Sequence, residues 1–491
     1  MDIINKEHII NIIKSMKNIV GILSTSQPVK FGKTKNGKPI YQIKPIKKIL
    51  PPFWITYGGK LQGRIIISFK FKEWTDDSKS PFGEIIKIIG LVDDSNLSET
   101  LLSHYEIDRK SFAKNELKLN EFESTIIRKD LKDLNIFSID PKGCIDIDDA
   151  LSYQEIEDKI YIGVHIAQPI CWLSKQEIID RCQTAFSTLY LNEEKNKNLW
   201  SNELTEKASL FVNQEKPAYT TIFTIQNSKV INIESFPSII INKLNTCYEK
   251  INFPDIQKTK EITEKLIGKE IDSHELVSYW MVETNKYIGN TFKNIPFRIQ
   301  NIDENKKNIE IVDTKVKDIF SNMLLEGASY SYEKDYHQSL GEYKYTHFTS
   351  PIRRIIDTVI HFNITYQKDE IILDLEKINL LDYKTKKFHR QINLLETIKN
   401  LPNEKETIGY IYSKNTNNNS NKINTNNINT NKWMVYFEEI GLTKVKIWDN
   451  KFDYLENKTF DKYEIGKGYT FKIFKKTGFL PNEKILINLK I

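Results

Sequence analysis

The sequence predicts a multidomain α+β protein in which a mixed α/β centre is flanked by two small β-rich units. Three observations carry this expectation. Residues 29–115 break into short β-branched and aromatic runs separated by Gly58-Gly59 and Ser80-Pro81, the pattern of strands joined by turns. Residues 403–491 repeat that pattern, while in residues 116–402 strand-like runs such as Ile160 to Ala167 mix with helical periods. A chain of 491 residues allows two to four domains, and its 40% apolar and 28% charged composition is that of a globular protein.

Taken in order, residues 1–28 read as an N-terminal helix, since Ile9, Ile12, Ile13, Met16 and Ile19 recur at helical spacing. Asp2 and Glu7, with no Arg, make it a docking helix rather than a targeting peptide. Strands are expected at Ile40 to Ile43, Phe53 to Tyr57, Arg64 to Phe71 and Gly83 to Ile89. After a linker at Leu401-Pro402-Asn403, strands at Thr407 to Tyr412, Trp433 to Phe437, Lys444 to Trp448, Tyr469 to Phe474 and Lys484 to Leu489 would make a five-stranded OB-type barrel. Asn415 to Asn431 interrupts it with ten Asn in seventeen residues, a composition expected to form a disordered loop.

The densest chemistry lies in Asp140-Pro141-Lys142-Gly143-Cys144-Ile145-Asp146-Ile147-Asp148-Asp149. Carboxylates this close repel unless a cation or solvent compensates, so a fold that gathers them points to a metal site. Pro141 and Gly143 mark a turn, and Asp146 and Asp148 share one side of an extended segment. A calcium loop of the EF-hand kind does not fit, because Ala150 and Leu151 fall where a ligand and a Gly belong. Hard oxygen donors without a His or Cys cluster favour Mg²⁺, with Mn²⁺ as the substitute. The bland alternative is a solvated acidic turn.

Tyr345-Thr346-His347-Phe348-Thr349-Ser350-Pro351-Ile352-Arg353-Arg354 is the second informative stretch. Ser350 as N-cap and Pro351 at the first helical position predict a helix whose first turn carries both arginines. Positive charge there opposes the helix dipole unless an anion is bound nearby. Only eight of the 71 basic residues are Arg, so an Arg pair suggests planar, bidentate phosphate recognition; a surface pair bridged to Asp or Glu is the alternative. Carboxylates for metal and arginine for phosphate together point to phosphoryl transfer.

Ser138 through Ala150 resembles the first signature of the ribonuclease II (RNB) family, and Tyr345 through Arg354 resembles its second. Arg128-Lys129-Asp130-Leu131, Gly163 to Ala167, Phe186 to Leu191, the helix of Met281 and Asn285, and Pro296 to Ile299 are weaker matches that extend the likeness over most of the chain. The resemblance implies an RNB catalytic domain over residues 116–402, preceded by one cold-shock-type OB barrel and followed by an OB-type RNA-binding barrel. It implies a Mg²⁺-dependent 3′-to-5′ exoribonuclease that hydrolyses single-stranded RNA to nucleoside 5′-monophosphates. By position, Asp140, Asp146, Asp148 and Asp149 would hold the metal, with Asp148 and Arg353 catalytic. Tyr190, Arg298, Arg353 and Arg354 would contact RNA, Tyr190 by stacking on the 3′ end. Phe53, Trp54, Trp74, Lys70 and Lys72 would supply barrel contacts.

Departures from the family pattern are Gln168, Gln300, Ser278-Tyr279 and Ile355, with a short interval between Gln300 and the second signature. They leave a second expectation standing, a catalytically weakened RNA-binding regulator. A net charge of +6 suits an RNA binder with an acidic centre. Four Cys without a C-x-x-C pair, and no long apolar run, predict a reducing intracellular setting, a cytoplasmic location, a monomer and no membrane contact.

Overall fold

The structure is a computed structural model that describes residues 6–26, 31–34, 36–107, 111–112, 116–191, 196–303, 321, 325–367, 370–415, 432–446, 464 and 466–489. Helix α1 (Lys6–Lys14) leads directly into strand β1 (Ile19–Ser24). With β2 (Ile40–Pro45), β3 (Phe53–Thr56), β4 (Arg64–Glu73) and β5 (Phe82–Leu91), it forms a closed barrel in the order β1-β2-β3-β5-β4. The barrel therefore begins at Ile19, inside the stretch that helical spacing assigned to residues 1–28. Ile19 and Leu23 are buried barrel core, and Gly21 admits β2 so closely that an added Cβ would stand 2.9 Å from the Lys44 carbonyl oxygen. Ile12 and Ile13 of the preceding helix, and Met16 just after it, pack with this core. Phe53, read as an RNA contact, is fully buried against Phe69, whereas Trp54 is half-buried edge-on to Phe82.

Helix α2 (Leu97–His104) follows the barrel and leads to the central unit. Its strands are β6 (Lys129–Asp130), β7 (Ile136–Asp140), β8 (Asp149–Ile156), β9 (Lys159–Ala167), β10 (Glu215–Gln226) and β11 (Lys229–Cys247). The order is β10-β9-β8-β7-β11-β6, and β10 also pairs with β11, so the sheet curls back on itself. The nineteen-residue β11 makes this closure: it runs antiparallel to β10 up to Ile241, then parallel to β7 from Asn242 to Cys247. That second register sets Cys247 opposite Asp140.

Helices α3 (Lys175–Cys182), α4 (Asn202–Ala208), α5 (Pro254–Ile267) and α6 (Ser273–Thr291) surround the sheet. Two antiparallel strand pairs follow, β12 (Phe297–Ile299) with β13 (Ser329–Ser331) and β14 (Tyr336–His337) with β15 (Glu342–Tyr343). Helix α7 (Ile355–Tyr366) is buried along its whole length, and α8 (Leu375–Asn400) leads out of the unit. Among the described residues no helix is long and apolar enough to cross a membrane.

Strands β16 (Glu404–Asn415), β17 (Lys432–Phe437), β18 (Gly441–Lys446), β19 (Gly468–Lys475) and β20 (Ile485–Leu489) form an antiparallel sheet ordered β18-β17-β16-β19-β20. This is the OB strand order, with no pairing between β18 and β20 among the described residues. The third strand lies three residues earlier than the apolar pattern placed it. Residues 447–448 and the Asn-rich stretch from residue 416 to 431 lie outside the described residues.

A single apolar cluster joins the three units: Val20 and Ile66 of the first barrel, Leu97 and Leu101 of α2, Leu189 and Leu191, Phe388 and Ile392 of α8, and Phe479. Lys484 adds an ion pair to Asp94 at 2.9 Å. Phe388 is fully buried at this junction, so Phe388→Ala should destabilise the protein by about 3–5 kcal/mol in denaturant unfolding.

Candidate active site

The acidic segment is a loop slung between two strands. Asp140 ends β7 and Asp149 begins β8, and these strands pair only at Ile136↔Ser152 and Phe137↔Leu151, so the intervening residues splay away from the sheet. Gly143 takes φ +80°, a left-handed conformation that glycine adopts without strain, and closes a turn in which the Cys144 amide donates to the Pro141 carbonyl. Ile147 is buried, Ser209 Oγ donates to the Ile145 carbonyl, and the Ala167 amide donates to the Asp148 carbonyl. The loop is thereby pinned on both sides.

The second signature is threaded by a comparable set of bonds. Asn285 of α6 donates to the Tyr345 hydroxyl at 3.0 Å and accepts from the Phe348 amide at 2.8 Å. Gly289 lets α6 pass directly over the Lys344 carbonyl, where a Cβ would collide. Beyond Phe348 the structure corrects the expected helix start. Helix α7 begins at Ile355, with Arg354 as its N-cap, rather than at Pro351. The cause is competition for backbone: the Thr188 amide donates to the Arg353 carbonyl and the Ile355 amide to the Phe186 carbonyl. Arg353 consequently stays in a turn closed by the Arg354 amide on the Ser350 carbonyl, and Arg354 alone is extended.

This turn brings the two signatures together. Asp148 is 2% exposed; its Oδ1 accepts from the Ile352 amide at 2.7 Å and its Oδ2 from Arg353 Nε at 3.1 Å. Arg353 also donates through Nη2 to Ser350 Oγ, yet its side chain remains 48% exposed. Tyr190 donates its hydroxyl to Asp146 Oδ2 at 2.7 Å, and Asn245 of β11 donates to Asp140 Oδ2 at 2.9 Å. Asp140, Asp146, Asp148, Asp149, Tyr190 and Arg353 thus share one site.

Arg354 and Arg298 stand apart from it. Arg354 is held by both oxygens of the buried Asp357, and Asp357 Oδ1 also accepts the Ser350 amide at 2.8 Å. Arg298, expected to contact RNA, is 5% exposed, paired with Asp382 at 3.0 Å and stacked over Tyr330. Both are internal ion pairs that shape the arginine-bearing turn. The departures Gln168 and Ile355 are also internal: Gln168 accepts from Arg128 and donates to Thr365, and Ile355 is core. Tyr248, at the end of β11, escaped the sequence reading. Its ring stacks on His274, and burial, then the charges of Asp149 and Asp140, push its hydroxyl up to about 12. Nothing in a single sequence marks it, because a parallel register of β11 on β7 brings it there.

Burial pushes the Asp140 carboxyl up to about 6, and burial with the Asp140 charge pushes Asp149 up to about 7. Burial also raises Asp148, against the opposing pull of Arg353 and the Ile352 amide. The donor chemistry, four carboxylates, fits a hard divalent cation such as Mg²⁺ or Mn²⁺. Side-chain placement is another matter: among the described residues no three His, Cys, Asp or Glu groups are arranged to hold a metal ion. Both Asp148 oxygens are already engaged by protein donors.

Two flanking OB-type β units around a mixed sheet, with carboxylates and an arginine in one centre, define the class. The family model described as RNB domain matches residues 128–253 and 249–367. Residues 128–367 form an RNB domain. It is 32% identical over 203 residues to the probable exosome complex exonuclease RRP44 of Caenorhabditis elegans, covering 38% of this chain and only 21% of that protein. Among solved structures, the apo form of Mycoplasma genitalium RNase R superposes with a TM-score of 0.74 at 17% identity, over 96% of this chain and 89% of that one. Yeast Ssd1, described as a pseudonuclease, gives a TM-score of 0.62 at 14% identity, over 87% and 65%.

The raised carboxyls fix the sign of a pH effect. Asp140 and Asp149 retain protons in the folded protein that an unfolded chain releases near pH 4, so ionising them costs stability as pH rises through about 6 to 7. A cation held by these groups relieves that cost only where they are ionised. Saturating Mg²⁺ should therefore raise the melting temperature more at pH 8 than at pH 5.5, as read by differential scanning calorimetry.

Proposed function

We propose that this protein is a divalent-cation-dependent 3′-to-5′ exoribonuclease that hydrolyses single-stranded RNA to nucleoside 5′-monophosphates. The observation that carries this reading is the contact of Asp148 with Arg353 at 3.1 Å inside a cluster of four aspartates. The RNB domain and similarity to an exonuclease support it.

Asp140, Asp146, Asp148 and Asp149 would hold Mg²⁺ or Mn²⁺. The bound cation would supply charge neutralisation at the phosphate and a water of lowered pKa. Asp148 orients Arg353 through Nε, and the half-exposed guanidinium presents its remaining N–H donors to a phosphate oxygen in the planar geometry such recognition needs. Ser350 holds one edge of the same guanidinium. Tyr190, 39% exposed and anchored through its hydroxyl to Asp146, offers its ring to the 3′-terminal base. The flanking OB-type units, with Trp54 half-buried beside Phe82 and Lys70 and Lys72 on β4, would guide the single strand.

An RNA-binding regulator with weakened catalysis is the other reading, and the pseudonuclease description of Ssd1 shows that the fold accommodates one. The intact aspartates and the exposed Arg353 favour the enzyme. Incubation of a 5′-labelled single-stranded RNA with protein and Mg²⁺ separates the two: progressive shortening supports the exonuclease, and a gel shift without cleavage supports the regulator. Asp148→Asn should retain RNA binding and lower the cleavage rate by about 100-fold or more. Cleavage by this variant at the wild-type rate would contradict the assignment of Asp148. The same assay with DNA reports whether the sugar 2′-hydroxyl is read.

A further inference from the structure

Tyr190 is tied at both ends, and the second tie comes from a helix far away in sequence. Leu189 and Leu191 are buried in the cluster that joins the barrels to the central unit, so Tyr190 between them faces the opposite way, toward the carboxylates. Its hydroxyl is fixed by Asp146. Its backbone amide donates to His389 Nε2 at 3.3 Å, and the two rings lie alongside with centroids 6.3 Å apart and planes inclined by 35°. His389 sits on α8 next to Phe388, which is in the same apolar cluster as Leu189 and Leu191. The helix cannot move relative to Tyr190 without opening that core.

We propose that His389 is a positioning residue of the site: it holds Tyr190 so that the nucleobase at the 3′ end of a bound RNA stacks on the tyrosine ring. The assignment rests on the reading of this centre as one that takes an RNA 3′ end. For Nε2 to accept the Tyr190 amide, the imidazole is neutral with its proton on Nδ1. A histidine serving only as helix surface would have no bond to the backbone of an aromatic that contacts the acidic loop. The acceptor fixes the peptide, the adjacent ring limits rotation of the tyrosine, and the Asp146 bond sets the distance from base to carboxylates. An aromatic held this way has little freedom left to lose when a base stacks on it.

The test uses the full chain in EDTA with a single-stranded RNA carrying 2-aminopurine as its 3′-terminal base, whose fluorescence falls on stacking, and 5′-fluorescein for anisotropy. Wild type should bind and quench. His389→Ala should bind with similar anisotropy but lose at least about half of the quenching, and with Mg²⁺ its KM for a short RNA should rise about fivefold while kcat stays within about twofold. His389→Gln, which restores an acceptor, should recover most of the quenching; it also serves if the alanine variant fails to fold. Wild-type quenching and KM in His389→Ala overturn the proposal. So does RNA that binds wild type with its terminal base unquenched, a result that leaves the exonuclease reading intact. No RNA binding by wild type overturns both.

Discussion

The site depends on one buried carboxylate that spans two distant parts of the chain. Asp148 accepts an amide from Ile352 and a guanidinium N–H from Arg353, 204 and 205 residues further on. A charge that is 2% exposed is costly unless it is paired and hydrogen-bonded, so the folded state that buries Asp148 must also deliver the 352–353 segment to it. Much of the surrounding architecture serves that delivery. Asp357 grips Arg354 and the Ser350 amide, Phe186 and Thr188 bond the backbone of Ile355 and Arg353, and Asn285 fixes the approach at Tyr345 and Phe348. The same arrangement leaves the Arg353 side chain half-exposed.

A second constraint links chemistry to the flanking units. Leu189, Leu191, Phe388 and Ile392 pack with Val20, Ile66 and Phe479, so residues from both β-rich flanks share one core with the segments that carry Tyr190 and His389. The acidic loop and the aromatic beside it are therefore held by packing between units as well as by bonds within the central one. Close-packed cores transmit displacement rather than absorb it, so the position of Tyr190 over Asp146 is sensitive to how the barrels seat.

The parts legible in the sequence are those set by local patterning. Strand alternation located four strands of the first barrel and the terminal sheet, and the two signature strings located Asp140 to Asp149 and Arg353. The first strand was hidden because Ile19 happens to continue a helical spacing, and pairing with β4 outweighed it. The helix start at Ser350-Pro351 was locally reasonable, but backbone bonds from Phe186 and Thr188, more than 160 residues upstream, displaced it to Ile355. Arg354 was read as a phosphate ligand because arginine is scarce, and Arg298 because its segment resembles one of the RNB family; their partners Asp357 and Asp382 could be assigned only once α7 and α8 were placed. Tyr248 and His389 carry no sequence signal at all, since a parallel register and an inter-unit core bring them to the site.

In the proposed reaction, water attacks the terminal phosphodiester at this centre and the phosphate leaves with the 3′ nucleotide. The direct measurement is mass spectrometry of products formed from single-stranded RNA and Mg²⁺ in ¹⁸O-labelled water. The account predicts nucleoside 5′-monophosphates with one ¹⁸O on the phosphate, released from the 3′ end. Products ending in a 3′- or 2′,3′-cyclic phosphate, or 5′-monophosphates without the label, would contradict it.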